Sequence, residues 1–100
     1  MTNSHKQRIA ESVSTTYKQC STAYGFTAAD MGNPDMIEFV REDLLDNIGF
    51  VARKNGIDCN GLLAEIDAAS TIKGMFDVIN MAIGNIKDCI DLYGYELPAA

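Results

Sequence analysis

The sequence predicts an all-α fold, a compact bundle of about four helices with a long C-terminal helix at its centre. Three observations lead there. First, seven apolar residues recur between Thr71 and Tyr93: Ile72, Phe76, Ile79, Ile83, Ile86, Ile90 and Tyr93. Their spacings alternate between four and three, the period of a helix seam. A second row, Met75, Ala82 and Cys89, runs beside the first, and Val78 widens the face. A helix apolar over more than half its circumference belongs at the middle of a bundle. Second, no Val/Thr/Ile run alternates by two as a strand does, and the chain holds only 2 prolines. Third, helix starts and stops punctuate the chain at short intervals, which favours antiparallel neighbours.

The expected helices span about residues 4–24, 34–55, 59–69 and 71–93, in a single domain of residues 1–100. In the first, Asn3 or Ser4 is the expected cap. Ile9, Val13, Tyr17, Cys20 and Tyr24 form the apolar row, and Gly25 is the stop, with Phe26 folding back on the last turn. Six Ser/Thr residues between Ser12 and Thr22 read as a solvated face. Thr27 to Asn33 is a linker holding one short turn. The second helix opens on Asn33–Pro34: asparagine as cap, proline where its missing N–H costs nothing. Asp35 and Glu38 suit the positive end of the helix dipole. Ile37, Val40, Leu44, Ile48 and Val51 form its buried stripe, bordered by Leu45 and Ala52. Gly56 ends it and Ile57 returns to the core. Asp58 is the expected cap of the third helix, with Leu62, Leu63 and Ile66 inward. Ser70 is the expected cap of the fourth and Gly94 its end. Leu97, in the tail, is a candidate for docking on the core.

One hundred residues at 47% apolar composition suffice for one core. No apolar run approaches the ~18 residues of a membrane span. The N-terminus has charges but no apolar stretch of the signal-peptide kind. A cytoplasmic protein without membrane contact is expected. The 3 cysteines, Cys20, Cys59 and Cys89, are widely spaced and form no CxxC, so they read as buried, reduced thiols.

The net charge of −6 is unevenly spread. Lys6, Arg8 and Lys18 outweigh Glu11 in the first helix. Asp30, Asp35, Glu38, Glu42, Asp43 and Asp46 face only Arg41 between residues 30 and 46. Such a chain repels nucleic acid, which rules against direct contact with it, and suits a protein partner with a basic surface.

Catalytic chemistry finds no constellation. The one histidine, His5, stands at the chain's start, too exposed to fraying to serve a nucleophile. No metalloprotease, phosphate-loop or dinucleotide pattern occurs. Asp58–Cys59–Asn60–Gly61 is not a calcium loop: its glycine comes two places early and no glutamate stands at the twelfth place. No enzyme, cofactor or metal site is expected.

Carboxylates on the second helix are the remaining signal. Glu38, Glu42 and Asp46 lie one turn apart, with a rise of ~6 Å per step. One reading is a solvated face with Glu38 paired to Arg41. Another is an acidic interaction face occupying the place of phosphates on a partner's Lys/Arg surface. Phe39 and Phe50 stand off the stripe, about 20° from each other around the helix, with Asp43 and Asp46 between them. Aromatics there are either covered core or binding anchors, and the surface they mark is either a partner contact or a homodimer contact.

In size, acidity, helical content and want of motifs, the chain resembles the small inhibitors encoded by bacteriophages and mobile elements, anti-CRISPR proteins and DNA mimics among them. The resemblance is one of general character over the whole chain and transfers no residue. It implies a non-enzymatic inhibitor or regulator of a nucleic-acid-binding complex with an exposed basic channel. The expected contact runs through Asp35, Glu38, Glu42, Asp43 and Asp46, with Phe39 and Phe50 as apolar anchors. Alternatives are an immunity- or antitoxin-like binder of a basic nuclease, an oligomeric helical subunit, and a small-molecule-binding bundle or enzyme. Asn80, Gly84 and Asn85 inside the last helix speak for that last class, although close helix packing is the more common cause of a glycine such as Gly84.

Overall fold

The computed structural model describes residues 2–24 and 33–84. Among them run four α-helices and no strand: α1 (Asn3–Tyr24), α2 (Pro34–Asn55), α3 (Asn60–Ala68) and α4 (Ile72–Ile83). The fold class is all-α, a helical bundle. The expected linker turn, the Gly25 stop and the tail with Leu97 lie outside the described residues.

Capping follows local chemistry, with shifts of one position. Thr2, one place before the expected caps, accepts at its hydroxyl from the His5 N–H at 3.1 Å. Asn33 caps α2 as expected, accepting from the Asp35 N–H at 2.9 Å, and Pro34 follows. Gly56 closes α2 at φ 64°, the left-handed conformation that only glycine adopts without strain. Ile57 then packs against the core. Asp58 sits one place outside α3, accepting from the Asn60 N–H at 3.2 Å, and Cys59 occupies the cap position. Thr71, not Ser70, caps α4, accepting from the Gly74 N–H at 2.9 Å.

The most extensive pairing is α1 along α2. α3 packs on α4 and on α2, and α4 also reaches α1. Tyr17 of α1 meets Phe76 of α4 edge-on, with ring centroids 5.8 Å apart. The centre is therefore shared: α2 and α4 each touch all three other helices.

The apolar pattern of α4 holds for Ile72, Phe76, Ile79 and Ile83, which are buried together with Met75. Ala82 is exposed, however, and Val78 half-buried. The expected run to Tyr93 is interrupted. Gly84 adopts φ 63° and ψ 167°, and its N–H makes the last helical bond, to Asn80. Gly84 is thus a helix stop rather than a close-packing position: a Cβ there would meet nothing within 4 Å. Ile86, Cys89, Ile90 and Tyr93 lie outside the described residues.

Two burial expectations are corrected. The stripe of α2 runs through Met36, Val40, Leu44, Ile48 and Ala52, while Ile37 and Val51 are only half-buried. A strict four-residue step advances 40° per turn, so the row winds around α2 along its length. On α1, Ser12, Ser14 and Thr16 are buried, not solvated. Their polarity does not keep them out. The Ser12 hydroxyl donates to the Ile9 carbonyl at 2.7 Å, and Thr16 is engaged from α2.

Candidate functional site

The outer face of α2 places the predicted residues as follows. Asp35, Glu42 and Asp46 are exposed, and their carboxylates make no hydrogen bond or ion pair among the described residues. Phe39 is 40% exposed beside them. Asp35 and Asp46 are separated along the axis by roughly 16 Å.

Glu38 and Asp43 differ from the other three. Glu38 is exposed but accepts from Arg41 Nε at 3.2 Å. Arg41 itself turns inward and holds the last carbonyls of α3, so Glu38 borders the contact strip and the fold at once. Asp43 was expected on the outer strip; it is half-buried and turned to α1. Asn47 draws it there: Asn47 Nδ2 donates to Asp43 Oδ2 at 3.2 Å and to the Thr16 hydroxyl at 2.7 Å. Burial, and secondarily the Asp43 charge, pushes the Cys20 thiol up to about 12. Cys59 is also raised, by burial first and then by Asp58. Both are buried free thiols. Cys89 lies outside the described residues.

Phe50 is 59% exposed, one helical turn beyond Asp46. Lys54 Nζ lies 5.9 Å from its ring centroid. It lines a groove of ≈ 280 Å³ between α1 and α2, together with Arg8, Glu11, Asn47, Val51 and others. The expected aromatic-flanked acidic strip thus meets, at Phe50, a groove whose lining includes Arg8 and Lys54 as well as Glu11. The sequence marks Arg41 as the partner of Glu38, which holds, and Arg8 only as a charge; it passes over Asn47, Lys54 and the reach of Arg41 to α3, because these depend on contacts between helices.

No protein-family model, curated protein or solved structure matches this chain. The surface chemistry alone must carry a function. Among the described residues, no three His, Cys, Asp or Glu side chains gather as a metal would need. Among the same residues, no helix is long and apolar enough to cross a membrane.

Proposed function

We propose that the protein is a non-enzymatic, cytoplasmic binding protein that inhibits or modulates a partner with a basic, nucleic-acid-binding surface, in the manner of phage-encoded anti-defence inhibitors. The observation that carries this reading is the group Asp35, Glu42 and Asp46: three exposed carboxylates on one rigid helix face, with no internal partner among the described residues, next to the exposed Phe39. Carboxylates held at fixed spacing steer a cationic surface into contact, and a large aromatic beside them supplies the desolvated anchor. Glu38 joins the contact from its bond to Arg41. A second copy of the chain is a poorer occupant of this strip, because two such strips bring like charges together.

The test is capture of the partner by tagged protein from bacterial lysate at low and moderate salt, with Phe39→Ala/Glu42→Lys as control. A single stoichiometric partner, weakened by salt and lost in the control, supports the reading. Equal capture by the control, or no partner from several hosts, removes it.

A further inference from the structure

The charge of α2 changes sign along its length. From Asp35 to Asp46 the exposed charged groups without internal partners are carboxylates, whereas from Asn47 to Asn55 the charged residues are Arg53 and Lys54 alone. Arg8 of α1 adds a cation at the same end, where it and Lys54 both line the groove that holds Phe50. Arg8 has no ion pair among the described residues. Among the described residues one carboxylate lines the groove, that of Glu11, which accepts from Gln7 Nε2 at 3.5 Å. Phe50 presents more than half its surface to water, with Val51 beside it in the lining.

We propose that this groove is a second binding site, one that takes an acidic peptide segment carrying an aromatic or aliphatic side chain. A guanidinium and an ammonium on the lining suit a carboxylate, the Arg8 fork donating to it in bidentate fashion. Phe50 and Val51 offer the adjoining apolar contact, and an exposed aromatic next to cations is the composition of a binding anchor. The chain's net negative charge does not forbid this. Asp46 lies about 12 Å along the axis from Lys54, beyond the Debye length of about 8 Å at physiological salt. A nucleic-acid strand fits worse: it needs a track of many cations, and continuing along α2 it would run onto the carboxylates. The proposal stands independently of the acidic strip's function.

The experiment is a titration of ¹⁵N-labelled full chain, followed by NMR, with three probes: the acidic peptide Ac-GDEFEDG-NH2, the basic peptide Ac-GKRFRKG-NH2 and a short oligothymidylate. The acidic peptide is expected to move the Arg8 Nε–H signal and the amides of Phe50 and Lys54. Arg8→Glu/Lys54→Glu should weaken its Kd about tenfold or more, since reversal turns attraction into repulsion. Phe50→Ala, which keeps both charges, should weaken it as well. All three positions are exposed, and an unchanged melting temperature confirms folded variants. The proposal is overturned by no response up to millimolar peptide, by equal binding to the charge-reversed variant, or by a stronger response to oligothymidylate. Shifts at these residues that follow protein concentration alone would overturn it too, assigning the groove to a second copy. The basic peptide reports separately: its expected shifts at Glu42 and Asp46 test the acidic strip, and their absence counts against that surface without touching the groove.

Discussion

Arg41 Nη1 donates to the carbonyl oxygen of Ala69 at 2.6 Å, across 28 positions of sequence. The same nitrogen reaches the carbonyls of Asp67 at 2.7 Å and Ile66 at 3.2 Å. Two hydrogens serve three oxygens, so at least one bond is shared. The last carbonyls of a helix have no partner within it and carry the negative end of its dipole. A guanidinium from α2 therefore ties down the end of α3, and Glu38 fixes its orientation through Nε.

Removing that clamp should be costly. Arg41→Ala should destabilise the domain by about 1.5–3 kcal/mol, the range for charged hydrogen bonds. Arg41→Lys should recover only part of this, because an ammonium cannot replace the planar fork. Glu38→Gln should stay within about 0.5 kcal/mol, since its side chain is mostly exposed. Urea unfolding of the three variants checks the order. An Arg41→Ala variant as stable as the parent would contradict the clamp.

Thr16 and Asn47 join α1 to α2 at a site where Thr16 is fully buried. Thr16→Val and Asn47→Ala should each cost about 1 kcal/mol and couple by a similar amount in a double-mutant cycle. Additive costs would mean that the bond contributes nothing to the interface.

The cysteines predict a pH dependence. Cys20 is raised from 9.0 to about 12, so between those values the unfolded chain has released the thiol proton and the native chain retains it. Stability from this group is fully present below pH 9 and lost as pH rises towards 12. Cys59, also raised, acts in the same direction. Both thiols should resist Ellman's reagent at pH 8 in the native protein and react on denaturation. Rapid native labelling at Cys20 would contradict its burial.

Ile79→Asp places a carboxylate where no water reaches, and should unfold the domain, since its cost of several kcal/mol rivals the whole stability of a small fold. Asp77→Ala, two residues earlier, removes an exposed pair with Lys73 at 2.7 Å and should change stability by less than about 0.5 kcal/mol. Circular dichroism and thermal melting separate the two; equal melting temperatures would defeat the packing scheme.

The class and most helix limits were legible because they depend on neighbours in sequence. Asn33–Pro34 and Gly56 bound α2 as expected, and the four-three spacing of Ile72, Phe76, Ile79 and Ile83 marks a buried face. Other features depend on what packs across space. Ser12 and Thr16 look like surface residues until one sees that a helix carbonyl and Asn47 satisfy them. Met36 displaces Ile37 from the core only because α2 is covered obliquely. Gly84 reads as helix interior until its backbone is seen to turn left-handed. The same division holds for the site: the row of carboxylates was visible at its spacing, but the diversion of Asp43 to Asn47 and the basic setting of Phe50 come from α1 lying alongside.

The most direct measurement is the affinity of Asp35→Lys/Glu42→Lys/Asp46→Lys for the captured partner, read beside its melting temperature. The three residues are exposed and make no bonds from their carboxylates among the described residues. Binding should therefore fall by about a hundredfold or more, as expected when attractive contacts become repulsive ones, with the melting temperature unchanged. Undiminished affinity in the folded triple variant would contradict the acidic face of α2 as the contact surface.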